Sequence, residues 1–326
     1  MKQILTALLL INVLSGHTAQ FLQTGADPDV YFDGTTYYLS YTHQTTRIVP
    51  FLTSTNGTDF TPHTDYNPSE ADPEYDYYCI WAPDLNQWDE TYILFFSAIR
   101  IPKGEKEKSY QEFVKDGKQV STFFATAKNN QLKFSKPSPA TKSNRRNFLD
   151  TLLKSTPEQI RIDADLFIDE GSARLFYVWF QHGNNIASVN WPEYSHLLKH
   201  VRPEEKEEEY VTEAPCVFKR NGLYYLIYSH GHFTGRYGMS YLMADSPEKL
   251  TRGDAEPYLL ASAKMNPDGS LIENIGHCSV APHKNGFLIF YHRGKWRSGP
   301  GSAFDRKIYC EPLTFRPDGT IDPLQW

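Results

Sequence analysis

Ala26-Asp27-Pro28-Asp29-Val30, the turn Asp33-Gly34, then Tyr37-Tyr38-Leu39-Ser40-Tyr41: a polar residue opens an apolar strand, the chain reverses, and an aromatic-rich strand returns. The same design recurs four times. Trp81-Ala82-Pro83-Asp84-Leu85 runs into Tyr92-Ile93-Leu94-Phe95-Phe96, and Ile162-Asp163-Ala164-Asp165-Leu166 into Leu175-Phe176-Tyr177-Val178-Trp179. Glu213-Ala214-Pro215-Cys216-Val217 runs into Leu223-Tyr224-Tyr225-Leu226-Ile227, and Gly276-His277-Cys278-Ser279-Val280 into Phe287-Leu288-Ile289-Phe290-Tyr291. One hairpin cannot bury its own apolar face, so a recurrent hairpin predicts a radial array of small sheets. The expectation is an all-β, five-bladed β-propeller forming one domain over residues 20–326. Two Asp, one Glu and one His begin four of the five copies, and ring closure would bring them to one axis.

The turns carry their own signals. Asp33-Gly34, Asn221-Gly222 and Asn285-Gly286 predict type I′ hairpins, with Asp169-Glu170-Gly171 and Asp89-Glu90 in the equivalent places. Starts at 27, 81, 163, 213 and 277 lie 54, 82, 50 and 64 residues apart. Four strands fit in about 50 residues, so the long second interval predicts an insertion between residues 101 and 159. Within it, Phe123-Phe124-Ala125-Thr126-Ala127 reads as a strand and residues 147–155 as a short helix.

Composition narrows the function. A formal net charge of -6 lacks the basic footprint that nucleic acid requires. The acidic run Glu204-Glu205-Lys206-Glu207-Glu208-Glu209 reads as a solvated loop. Lys2, the apolar run from residue 4 to 13 and the small residues at 15–19 predict a signal peptide over residues 1–19, hence secretion and no membrane span in the mature chain. Four cysteines allow three pairings; Cys216 and Cys278, on neighbouring repeats, are the candidates for a bond. Neither HExxH nor CxxC nor GxSxG occurs, which disfavours zinc peptidase, redox and esterase chemistry.

Three carboxylates converging on one axis repel, so at least one should keep a proton. Glycoside hydrolysis uses such a division: one neutral acid protonates the leaving oxygen while one carboxylate activates water. Asp29 and Asp165 lie two residues beyond Asp27 and Asp163, on the same face of an extended strand, and are rivals for the role.

The ordered motifs resemble glycoside hydrolase family 43, the five-bladed arabinofuranosidases, β-xylosidases and arabinanases, over nearly the whole mature chain. The resemblance implies an inverting mechanism with Asp27 of Ala-Asp-Pro as general base, Glu213 of Thr-Glu-Ala-Pro as general acid, and Asp163 raising the acid's pKa. The family more often has Gly where Ala214 stands. The resemblance also implies substrate-binding roles for Trp81, Asp84, His277 and Arg306, and no required cofactor; His277 is the one candidate metal ligand, for a structural calcium near the axis. Trp81 reads equally as a core indole, and His277 as a structural or substrate-binding residue.

The expected partner is a carbohydrate, and the expected state a monomer. The insertion after the second repeat favours exo action on arabinofuranosyl or xylosyl units over an endo-arabinanase groove. A fructan-active propeller would carry Trp-x-Asn-Asp-Pro and Arg-Asp-Pro, absent here. A non-catalytic sugar-binding propeller is the remaining alternative.

Overall fold

The computed structural model describes residues 19–140, 161–180, 184–191, 212–233, 235–251, 255–296 and 304–326. The expected signal peptide to residue 18, the helix at 147–155 and the acidic run at 204–209 lie outside them. The molecule is all-β, with antiparallel sheets in a propeller-like arrangement.

Strand β1 (Gln20–Thr24) is set apart and returns below. The first sheet is β2 (Ala26–Phe32), β3 (Tyr37–Thr42), β4 (Val49–Ser54) and β5 (Thr61–Tyr66). A short helix, α1 (Pro68–Ala71), leads to β6 (Tyr75–Trp88) and β7 (Thr91–Pro102). Helix α2 (Tyr110–Lys115) intervenes before β8 (Ser121–Ala127) and β9 (Ser138–Pro139) complete the second sheet. The third sheet has three described strands, β10 (Arg161–Asp169), β11 (Ser172–Phe180) and β12 (Asn184–Trp191). The fourth is β13 (Thr212–Arg220), β14 (Leu223–His230), β15 (Gly238–Ala244) and β16 (Tyr258–Ala261). In the last, β17 (Lys264–Met265), β18 (Leu271–His283), β19 (Gly286–Trp296) and β20 (Phe304–Leu313) are joined by β1 from the other end of the chain, Phe21 lying opposite Tyr309.

The core is a set of wedges between sheets. Tyr38, Phe51 and Tyr66 pack on Tyr77, Leu94 and Phe96, and Phe95 and Ile93 pack on Leu166 and Leu175. Phe176 meets Leu226 and Leu242, Ile227 meets Ile289, and Leu288 and Phe290 meet Leu39 and Tyr37, returning to the first sheet. Each hairpin thus buries its apolar face on its neighbour, as alternation along the strands requires. The insertion adds one more cluster. Ser109 caps α2 in a reciprocal box, its hydroxyl taking the Glu112 N–H at 3.3 Å while Glu112 Oε2 takes the Ser109 N–H at 2.8 Å. That fixes Phe113 against Tyr78, Ile99 and Ile162.

Two turns depart from the predicted type. Asp33-Gly34 belongs to a four-residue turn in which Asp33 Oδ1 accepts from the N–H groups of Thr35 and Thr36, each at 2.8 Å. At the last hairpin the positive φ falls on Lys284 (50°), and Gly286 is already paired with His283. Asn221-Gly222 has positive φ at both positions (50° and 79°), as a type I′ turn demands. The Cys216–Cys278 bond does not form: all four cysteines are free, and Cys216 instead hydrogen-bonds the Cys278 thiol and the Val280 N–H.

Candidate active site

Every inner strand carries the same irregularity. Pairing slips between Ala26 and Asp29, Trp81 and Asp84, Ile162 and Asp165, Glu213 and Cys216, and Gly276 and Cys278. Inside each slip one non-glycine residue is left-handed: Asp27 (φ 50°), Ala82 (43°), Asp163 (53°), Ala214 (55°) and His277 (49°). Such a residue costs roughly 1–2 kcal/mol, and a bulge of this kind re-aims a side chain. Pro28, Pro83 and Pro215 occupy the gap where no ladder bond is made, which is where a residue without an N–H fits.

This register corrects two sequence readings. Asp29 and Asp165 do not share a face with Asp27 and Asp163, because the bulge breaks the two-residue period between them. Glu213 is not equivalent to Asp27 and Asp163 but stands one place earlier, level with Ala26, Trp81, Ile162 and Gly276.

Two layers of hydrogen bonds stitch the sheets together. In the lower layer Asp29 Oδ2 takes the Leu85 N–H (2.8 Å), Asp84 Oδ2 the Leu166 N–H (3.1 Å) and Asp165 Oδ2 the Val217 N–H (3.1 Å). Cys216 takes the Val280 N–H, and Ser279 Oγ takes the Val30 N–H at 3.0 Å, closing the circle. In the upper layer, side chains of the second strands, each opposite the residue that opens a bulge, take the N–H of the next bulge. Thr42 Oγ1 serves Ala82 (2.8 Å), Ser97 Oγ serves Asp163 (3.3 Å), Ser229 Oγ serves His277 (2.7 Å) and His292 Nδ1 serves Asp27 (3.1 Å). At the third sheet Val178 stands in that place and cannot accept. There Asp163 uses its own Oδ2 to take the Ala214 N–H at 3.1 Å, tying it to the backbone beside Glu213.

The upper layer holds the chemistry. Asp27 is buried with its Oδ1 3.0 Å from Arg306 Nη1, 3.3 Å from His277 Nδ1 and 3.4 Å from His292 Nδ1. Burial pushes its pKa up, but the Arg306 guanidinium, with His277 beside it, outweighs burial and holds the carboxyl well below the ordinary carboxylate range. His292 is held down to about 4, chiefly by burial. It is therefore neutral near pH 7, and its Nδ1 is the acceptor of the Asp27 N–H, at a shorter distance than the carboxylate. Burial lowers His277 too, so its contact with Asp27 is an N–H donation from a neutral ring.

Asp163 behaves oppositely. Burial, then the Glu213 carboxylate, then Asp27, push it well above the ordinary range. Asp163 is thus held on the protonated side while Asp27 is held on the ionised side. Glu213 Oε1 accepts from Tyr237 Oη at 2.7 Å.

Of the other expected residues, Arg306 and His277 join this cluster. Asp84 belongs to the lower layer, buried, with both oxygens 3.1 Å from Asn86 Nδ2. Trp81 is half-buried at the mouth, its ring 5.1 Å from Tyr110 of α2 at an interplanar angle of 62°. The calcium expectation finds no ligand set: among the described residues no three His, Cys, Asp or Glu side chains converge as one, and His277 alone does not make the oxygen cage that calcium prefers. His292 and Tyr237 escaped the sequence reading. His292 could have been found by aligning the second strands, where it matches Thr42, Ser97 and Ser229; Tyr237 lies between strands, outside any period.

The sequence model of Glycosyl hydrolases family 43 matches residues 21–321. A β-D-galactofuranosidase of Aspergillus niger is 31% identical over 167 residues, covering 50% of this chain and 45% of that protein, so the chain spans under half the relative's length. Among solved structures, an α-L-arabinofuranosidase from Lactobacillus brevis has a TM-score of 0.67 at 18% identity, covering 94% of this chain and 97% of the other. A xylan β-1,4-xylosidase from Bacillus halodurans has a TM-score of 0.60 at 18% identity, covering 92% and 55% respectively.

Proposed function

Since the chain belongs to glycosyl hydrolases family 43 and is a glycosidase, we propose that it is an inverting, exo-acting enzyme that releases single arabinofuranosyl or xylosyl units. Asp27 is the general base, Glu213 the general acid, and Asp163 the residue that keeps the acid protonated. The observation that carries this reading is the opposite setting of the two buried carboxyl groups: Asp27 lies 3.0 Å from the Arg306 guanidinium, whereas the Asp163 carboxyl, among the described residues, has only the Ala214 N–H, beside Glu213, at 3.1 Å. Arg306 favours the ionised form of Asp27, as a base requires, while burial and the neighbouring Glu213 favour a proton on Asp163, next to the acid.

The five sheets are read as five blades around one axis, with both hydrogen-bond layers closing the ring. The water whose proton Asp27 takes as its oxygen attacks the anomeric carbon, and the leaving glycosidic oxygen protonated by Glu213, then lie on opposite sides of one sugar, which requires a carboxyl separation of about 6.5–9.5 Å. Exo action is favoured by α2, whose Tyr110 covers Trp81 on one side of the mouth. A galactofuranosyl substrate is the second reading, supported by the resemblance in sequence to the Aspergillus galactofuranosidase.

The test is sugar release from aryl α-L-arabinofuranoside, β-D-xyloside and β-D-galactofuranoside by the wild type and Asp27→Asn, with the anomer of the first-formed product read by NMR. Release of one sugar as the inverted anomer, lowered about 10²–10⁴-fold in the variant, is expected. A retained anomer overturns the mechanism, and undiminished release by Asp27→Asn overturns the base.

A further inference from the structure

We propose that His292 is the positioning residue for the base: it fixes the Asp27 backbone so that Oδ2 faces the attacking water, through an acceptor that has no proton to give. This rests on the reading of Asp27 as the general base and adds a residue to it.

The base is held at three points and open at one. Its N–H is taken by His292 Nδ1 at 3.1 Å, and its Oδ1 lies 3.0 Å from Arg306 Nη1 and 3.3 Å from His277 Nδ1. Among the described residues nothing hydrogen-bonds Oδ2. A carboxylate with one oxygen engaged in this way keeps the other for the water, and a hold on its backbone stops that oxygen from swinging away.

The other sheets show why an imidazole stands at this place. Thr42, Ser97 and Ser229 hold the next bulge with a hydroxyl, at the positions that match His292. A hydroxyl accepts, but it also carries a proton for any acceptor in reach, and Asp27 Oδ1 is 3.4 Å from His292 Nδ1. A proton offered there would stabilise the carboxylate and weaken it as a base. An imidazole that accepts at Nδ1 carries its hydrogen on Nε2, so it secures the N–H and leaves the carboxylate to Arg306 and His277.

Packing sets the plane of the ring. Nε2 is buried and meets no hydrogen-bond partner among the described residues, so a second bond does not turn it. Tyr237 stacks on the imidazole with centroids 6.0 Å apart and planes within 5°. The tyrosine lies in turn over Gly276, the residue opposite His292, where an added methyl would be 2.0 Å from it. The missing side chain at Gly276 thus admits the ring that aligns His292.

The experiment compares wild type, His292→Asn, His292→Leu and Asp27→Asn on one aryl glycoside of whichever sugar the wild type releases, each below its own melting temperature. Asparagine offers an amide oxygen near the place of Nδ1, whereas leucine offers no acceptor. His292→Leu should lower kcat about 10²-fold with KM changed less than about 3-fold, and His292→Asn should recover about 10-fold or more of that loss. Equal kcat in the two variants, or a loss confined to KM, overturns the proposal. The tautomer is read separately by NMR of intact enzyme labelled at the histidine nitrogens. The imidazole signals that disappear in His292→Asn should show a bare Nδ1 and a protonated Nε2. A proton on Nδ1 overturns the proposal whether or not the leucine variant folds. Full activity of Asp27→Asn overturns the base assignment itself, which is a different result.

Discussion

Arg306 and Asp27 show how far a single contact sets the working range of a site. The guanidinium at 3.0 Å opposes the burial that would otherwise raise this carboxyl. Replacing it should raise the pKa of the base, and the base must be ionised to act. The acid limb of kcat/KM for Arg306→Met is therefore expected to move to higher pH by about one unit or more. A limb left in place would separate Arg306 from the base. Both residues were legible in sequence through their motif, but the reason for their pairing was not. Arg306 is brought to Asp27 by the pairing of β20 with β19, a contact between positions 279 apart that no local pattern encodes.

At the level of the strand, the bulge is the element that sequence periodicity missed. An alternating pattern assigns residues two apart to one face, and nothing in Ala26-Asp27-Pro28-Asp29 announces a left-handed Asp27. The hairpins and their order were readable because apolar and aromatic residues mark them, whereas the bulge rests on a backbone angle that Asp, Ala and His all adopt here. Ala214 tests this directly, with φ at 55° and its side chain buried. Glycine relieves about 1–2 kcal/mol of strain there, but loses roughly 0.8 kcal/mol of methyl burial and frees the unfolded chain by about 0.4–1 kcal/mol. Ala214→Gly should accordingly stay within about 1 kcal/mol of wild type in chemical denaturation and keep its activity. Ala214→Val, β-branched at positive φ, should lose about 2 kcal/mol or more. Equal stability of the two variants would contradict the strained angle.

Across the whole molecule, the lower layer makes stability a function of pH. Burial raises Asp29 to about 7 and pushes Asp84 and Asp165 well above the ordinary range. A group whose folded pKa is raised binds its proton more tightly when folded, so the stability it lends is present below its unfolded pKa near 3.9 and is lost as pH climbs toward the folded value. Asp27 has the opposite sign, and its contribution is lost only on acidification below about 4. The melting temperature should thus fall between pH 5 and pH 8, and Asp29→Asn should flatten that slope. A wild type whose Tm holds steady over this interval would contradict neutral axial carboxyls. The same arrangement of bends has a bearing on how new specificities arise. At each of five mouths the backbone turns alike, so the two residues there act as interchangeable ports, of which Ala26, Ala82 and Ala214 bear only a methyl group. A nucleophile, a cation or an aromatic platform could be installed at such a port by one codon change, with the scaffold already shaped to aim it inward.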